Sequence, residues 1–433
     1  MAFLLTVLFM IASYLRPGDL SVELSALRIP FWVGNFGMVA GSAGTLFGGR
    51  TSVWKAPQLH FLLGFVGVLV LSPILARHWV GGALDAFSTF STAVIGYVLI
   101  VFAVDTISKL RILAILLAVL SIALVIQGGL AVHVGIGRDL FILSQNVENP
   151  DGQALDRVRA LGYLNDPNDL AQALIAAAPL LWPFWQAGRR MRNFFAVMLP
   201  SLVLLYGVFL THSRGAAASI VIIVGLLARE KMQRFRKTAP VVLAVVMLAA
   251  FSLAGLSGGR DVSSGDESAA GRLDAWSAGF EMLKSNPLVG VGYGAFTDFN
   301  PLTAHNSFVL CFSELGLAGY FFWFGLLVVA IWELRHVDAA AADHEEYSDL
   351  RDWALAARFS LYALLSGAFF LSRTYAPTLY VSLAIAFVVV DMARREGFPE
   401  IPRGSMLFRV GGLTIASVTA LYCVVRVGHL WMH

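Results

Sequence analysis

Four polar side chains sit where an otherwise apolar chain needs a reason to keep them. Arg214, in Thr211-His212-Ser213-Arg214-Gly215, falls in a short break between two apolar runs. A guanidinium at the centre of a membrane helix costs about 2.5–3.5 kcal/mol on insertion scales and less near the interface, so it is expected to face protein or water. The ordinary role of an interfacial arginine is to snorkel to headgroups. Here the flanking His212 and Ser213, and the small run Gly215 to Ala218 that lets another helix come close, favour a site. Arg272 lies on a predicted amphipathic helix over 270–285, where Leu273, Trp276, Phe280 and Leu283 share a face suited to the membrane rim. Arg373, in Ser372-Arg373-Thr374-Tyr375, is a third arginine of the same edge, with a lipid-headgroup contact as its plain reading. His305 opens an apolar run beside Asn306, after the turn Phe299-Asn300-Pro301. A lone histidine is most often just hydrogen-bonded, but an imidazole that titrates near pH 6.5 can also take a proton. Arginine forks match phosphate oxygens two at a time. Together these side chains could hold a diphosphate and accept a proton next to it.

The elements that must position them are membrane spans. Of 433 residues 58% are hydrophobic and 14% charged, and the mean hydropathy is +0.74, far from the roughly 45–50% and 25% of soluble domains. Apolar segments near 2–15, 29–47, 59–76, 86–104, 110–132, 169–187, 194–211, 215–228, 239–256, 306–332, 354–371, 376–393 and 406–426 predict an all-α polytopic membrane protein with about 12–13 transmembrane helices. The Gly-rich 29–47 stretch could be re-entrant. The N-terminus lacks a basic region and cleavage site and reads as a retained first span. A net charge of +3 gives no case for nucleic-acid binding, and two cysteines, Cys311 and Cys423, give none for a disulfide framework.

With the N-terminus inside, the inner loops carry 17 Lys and Arg and the outer segments 12, or 6 once two long outer loops with three each are set aside. Short loops decide orientation, so this arrangement stands. The outer loops are 133–168 and 257–305. The chain divides into spans 1–256, a large outer loop with the motif region at 257–305, and C-terminal spans 306–433. A helical loop is expected to cap an outward-facing cavity. The inner loop from His336 to Trp353 is acidic and Ala-rich and reads as a solvated helix.

Other motifs have structural readings. Gly290-x-Gly292-x-Gly294 lacks the spacing and βαβ setting of a dinucleotide site and suits a tight extended turn. In Asn165-Asp166-Pro167-Asn168-Asp169, Asp166 is an N-cap with Pro167 at the first helical position. Glu314 is a costly carboxylate inside an apolar run, for which an arginine is the natural partner. There is no His-Glu-x-x-His motif and no other metal-ligand spacing, which disfavours a metalloprotease.

Taken in order, Ser213-Arg214-Gly215, Arg272-x-x-x-Trp276, Asn286-Pro287-Leu288-x-Gly290-x-Gly292-x-Gly294-x-Phe296, Ala304-His305-Asn306-Ser307-Phe308 and Glu314-x-Gly316-x-x-Gly319 resemble the bacterial O-antigen ligase and O-antigen polymerase family. The resemblance implies a metal-independent, inverting glycan transferase without a cofactor, in the bacterial inner membrane with its site facing the periplasm. It implies a donor glycan on undecaprenyl pyrophosphate and a glycan or lipid A core acceptor, among membrane lipids and other polysaccharide assembly proteins. Arg214 and Arg272 would hold the pyrophosphate, and His305 would deprotonate or position the acceptor hydroxyl. His212, Ser213, Trp276, Asn306, Glu314 and Arg373 would support them. Nothing in the sequence points to a lipid A acceptor, so the balance tips toward a polymerase of exopolysaccharide or O-antigen repeats, with a ligase as the alternative. A span after residue 405 departs from the twelve-span plan associated with the ligases. A transporter, the general expectation for so many spans, would need ionisable groups along a midplane path. A scaffold would leave the Arg/His set unexplained.

Overall fold

Inside hydrocarbon a backbone has no water to bond, so a spanning chain must satisfy its own amides, which helices do. The computed structural model describes residues 1–47, 52–145, 155–231 and 269–432, and it is all-α apart from one hairpin. The longer helices are α1 (Ala2–Leu15), α2 (Ile29–Phe47), α3 (Pro57–Arg77), α4 (Val80–Ala103) and α5 (Ile107–His133). Strands β1 (Ile142–Gln145) and β2 (Leu155–Val158) follow, then α6 (Pro167–Ala177), α7 (Leu199–Leu210), α8 (Arg214–Lys231) and α9 (Ala269–Ser285). The chain ends with α10 (Ser307–Ala340), α11 (Ser348–Ala368), α12 (Pro377–Arg395) and α13 (Arg403–Met432).

Eight helices among the described residues are long and apolar enough to cross a membrane, so the chain is a polytopic membrane protein. This is fewer than the 12–13 expected from hydropathy. The segments at 29–47, 215–228 and 354–371 are helical too, but four glycines dilute the first, and the helices that carry the other two, α8 and α11, take in charged residues at Arg214, Arg229 and Glu230 and at Asp349, Arg351, Asp352 and Arg358. The segment at 169–187 breaks from α6 into a 3₁₀ turn that contains Pro179 and Pro183. The expected span at 239–256 and loop residues 257–268 lie outside the described residues. Within the expected outer loop at 133–168, β1 and β2 pair antiparallel, Ile142 opposite Val158.

Helix α12 is the axis of the bundle, 89% buried along its apolar window, and packs on α4, α10 and α11. Two buried ion-pair groups hold the end where α10 finishes. Glu333 pairs with Arg394 and accepts from Gln58 at 2.8 Å, and Arg358 binds Glu230 at 2.7 Å and Asp338 at 3.0 Å. Buried charges of this kind are tolerated only when paired.

The long helix α10 is broken near its other end. Gly316 sits at φ 62°, ψ −168°, a conformation open essentially to glycine alone. The break frees backbone groups that a helix would otherwise use, and the Gly-alternating segment supplies their partners. Val291 and Gly292 N–H donate to the carbonyls of Ser313 (3.0 Å) and Glu314 (2.9 Å), while Leu317 and Ala318 N–H donate to Pro287 (2.8 Å) and Leu288 (3.1 Å). The backbones touch so closely that a Cβ on Gly290 would lie 2.4 Å from the Glu314 carbonyl carbon, and one on Gly316 2.3 Å from that of Leu288. The motif is a splint laid into a broken helix.

Gly290→Ala and Gly316→Ala should each cost about 3 kcal/mol or more, combining positive φ with backbone overlap. Gly129→Ala, in α5 with open space around it, should change stability by no more than about 1 kcal/mol. Melting temperatures of the purified variants in detergent check the contrast.

Candidate functional site

Four helices begin at the same end of the bundle, each with its own start signal. Asp166 caps α6, accepting from Asn168 N–H at 2.7 Å with Pro167 at the first helical position. Ser213 Oγ accepts from Ala216 N–H at 3.3 Å at the head of α8. Asn306 Oδ1 accepts from Phe308 and Val309 N–H, at 2.9 and 3.1 Å, at the head of α10, and Pro377 opens α12. Helix N-termini carry partial positive charge, so this end favours anions.

The loop 369–376, between α11 and α12, ties these starts together. Ser307 Oγ donates to the Leu371 carbonyl at 2.6 Å and accepts from Arg373 N–H at 2.7 Å. Thr374 Oγ1 donates to the Ser307 carbonyl at 2.8 Å, and Thr303 Oγ1 to Ser372 Oγ at 2.8 Å. The Arg373 side chain pairs with Asp169 and, at 3.7 Å, with Asp166 on the head of α6. Arg373 is thus committed to two carboxylates and does not simply contact headgroups.

Through this loop the chain neighbours of Arg214, Arg272 and His305 are linked by packing contacts. The α-carbon of Gly215, next to Arg214, faces Phe370, whose Cβ would be 3.5 Å from a Cβ placed there. Phe369 packs edge-on against Trp276, ring centroids 5.5 Å apart. Trp276 Nε1 donates to the Ala304 carbonyl at 2.9 Å, one residue before His305. Arg272 stands four residues before Trp276, one turn away on the same face of α9, about 5–6 Å between β-carbons. The contacts run from Gly215 through Phe370, Phe369 and Trp276 to Ala304, so they begin next to Arg214, pass one turn from Arg272 and end next to His305. Arg214 is exposed, and Arg272 and His305 are half-buried.

His305 occupies left-handed backbone, φ 46°, which histidine tolerates better than most residues but at a cost of order 1–3 kcal/mol. Its neighbours overdetermine it. Ala304 is held by Trp276, and Asn306 is the fully buried cap of α10. His212 also has positive φ, 50°. Partial burial, and then the charge of Arg157, hold its pKa below the ordinary histidine value.

Two expectations change. The apolar face of α9 does not lie on the membrane rim: Leu273, Trp276, Phe280 and Leu283 are buried against protein. Phe280 meets Phe312 of α10 at 4.9 Å and Tyr422 of α13 at 5.4 Å, and Ser313 Oγ donates to the Gly279 carbonyl at 3.1 Å. Among the described residues Glu314 is not paired with an arginine. Its carboxylate accepts from the Tyr375 hydroxyl at 2.7 Å and from Phe296 N–H at 3.3 Å. Burial and then the Glu314 charge push the Tyr375 pKa well above its ordinary value, which keeps the hydroxyl a donor. Glu314 therefore joins the splint, the 369–376 loop and α10.

Sequence reading passed over Arg157 and Ser307. A polar cavity of about 850 Å³ lies at the opposite end, lined by Arg229, Glu230, Arg335, Asp338, Arg351 and Arg358 among others. It is remote from the His305 patch, and its Arg358, Glu230 and Asp338 are spent on one another.

Trp276→Phe keeps the aromatic packing but deprives the buried Ala304 carbonyl of its donor, a loss of about 1–3 kcal/mol. The variant should melt lower than wild type. A proteolysis assay should show the segment around His305 cut earlier than in wild type.

Compared with known proteins, residues 199–324 match the family model described as O-antigen ligase. The match covers α7, α8, α9 and the front of α10, and so includes Arg214, Arg272 and His305. No curated protein matches the chain.

Proposed function

We propose that this chain, whose residues 199–324 match the O-antigen ligase family model, transfers a lipid-linked glycan to a hydroxyl acceptor at the outer surface of its bilayer. Glycan transfer is the family-level activity; donor, geometry and acceptor are our reading. The observation that supports it is the run of contacts from Gly215 through Phe370, Phe369 and Trp276 to Ala304, which links the chain neighbours of Arg214, Arg272 and His305 at an end of the bundle where four helix N-termini gather.

In this reading the donor is undecaprenyl pyrophosphate carrying the glycan. The acceptor oxygen attacks the anomeric carbon from the face opposite the diphosphate, inverting it. The new C–O bond forms as the bond to the phosphate oxygen breaks, and the acceptor proton passes to the His305 imidazole. Arg214 and Arg272 take up the charge that develops on the departing diphosphate, the kind of fixed electrostatic contribution that commonly dominates catalysis. Positioning is inexpensive because Trp276 and Asn306 already hold the backbone on both sides of His305.

An apolar crevice of about 380 Å³ supports a lipid donor. It is lined by Leu174, Val208, Ile220, Val224, Leu227 and Phe359 among others, and runs along α8 from Ile220 to Leu227. The distribution of charge supports a periplasmic site. Arg111 with Asp349, Arg394 with Glu333, and Arg395 with the Asp105 carbonyl stand at the end away from His305, as the positive-inside rule requires of a cytoplasmic face.

Arg214→Ala, Arg272→Ala and His305→Ala should leave protein levels intact and lower transfer by about 10²–10³ each, the range for losing one preorganised charge-stabilising group or a general base. The surface glycan of a strain lacking the protein separates the acceptors. Core bearing a single repeat indicates a lost polymerase, the outcome we favour, and long lipid-linked glycan with bare core a lost ligase. Wild-type transfer by all three variants would refute the reading.

A further inference from the structure

The Thr211–Ser213 turn ahead of Arg214 is held at both ends by one buried side chain. Arg157, on β2, is only 8% exposed. Its Nε donates to the Thr211 carbonyl at 2.9 Å, where α7 ends, and its Nη2 donates to Asn168 Oδ1 at 3.0 Å, on the first turn of α6. The same Asn168 oxygen accepts from Ser213 Oγ at 2.8 Å, and that hydroxyl in turn caps α8. Between the two anchor points His212 is bent into left-handed backbone. The guanidinium therefore fixes where α7 stops and, through Asn168, where α8 starts and how it is rotated.

We propose that Arg157 is a positioning residue for Arg214: it sets the direction of the Arg214 guanidinium through the Asn168–Ser213 relay without touching the donor itself. The proposal rests on the reading that Arg214 meets the diphosphate. Its physical basis is the planar fork, which holds two acceptors in fixed relation. A lysine keeps the charge but offers no such fork. A purely electrostatic role would be rescued by lysine, and a positioning role would not.

The test is a double-mutant cycle on the full-length protein in detergent, with geranylgeranyl diphosphate as the binding probe and a melting curve for each variant. Arg214→Ala and Arg157→Lys should each weaken binding about tenfold, and the double variant should bind no more weakly than Arg214→Ala alone, because residues that act through one another are not additive. Asn168→Ala breaks the relay while leaving the Thr211 contact, and should show the same non-additivity with a smaller loss. It carries the test if Arg157→Lys does not fold. Wild-type binding by Arg157→Lys and Asn168→Ala, with Arg214→Ala weakened, overturns the positioning role alone. Losses that multiply in the double variant also overturn it. Wild-type binding by Arg214→Ala overturns the reading of the site beneath it.

Discussion

The site end of this protein hangs on Ser307. Its hydroxyl gives a hydrogen bond to Leu371 and takes one from Arg373 N–H, and its carbonyl takes one from Thr374. One residue at the head of α10 thereby fixes the loop 369–376, and that loop in turn reaches α6 through Arg373, α8 through Phe370 and α9 through Phe369. Each bond is worth only about 0.5–1.5 kcal/mol net. Their effect is geometric: helices distant in the chain are held in one register at a surface where hydrophobic packing alone would let them slide.

The broken helix makes this possible. An unbroken α10 would satisfy its own backbone and offer nothing for the segment 286–294 to bind. With Gly316 out of helical geometry, that segment is accepted as a splint, and Glu314 is left beside it to take hydrogen bonds from Tyr375 and Phe296 N–H. The splint joins the end of α9, the helix of Arg272, to the interior of α10, the helix that follows His305. Strain follows the same logic, since the neighbours of His212 and His305, two non-glycine residues with positive φ, are held by hydrogen bonds.

What the sequence made legible is what local chemistry encodes. The three-and-four spacing of Leu273, Trp276, Phe280 and Leu283 forecast α9, and Asp166-Pro167 forecast the start of α6. The glycines at 290, 292 and 294 forecast an extended turn. What lay hidden depends on partners far away in the chain. An apolar helix face looks the same in sequence whether it meets lipid or α10 and α13, so its spacing alone suits the membrane rim equally well. Glu314 needed a donor, but nothing local singled out a tyrosine hydroxyl 61 residues later over an arginine. Arg157 read as one of several outer charges because β2 is only four residues long, too short for alternation to show which side chain turns inward. Hydropathy counted every apolar run as a span. It could not register the prolines that break the 169–187 segment or the charges admitted into α8 and α11.

The central claim is that Arg214 and Arg272 address one diphosphate with His305 beside it. An experimental structure of the full-length protein in lipid with a short isoprenyl diphosphate bound tests it most directly. The account predicts diphosphate oxygens within about 2.7–3.2 Å of both guanidiniums and the imidazole facing the adjoining space. A diphosphate bound elsewhere, or held by one arginine with the other on a separate surface, would contradict it.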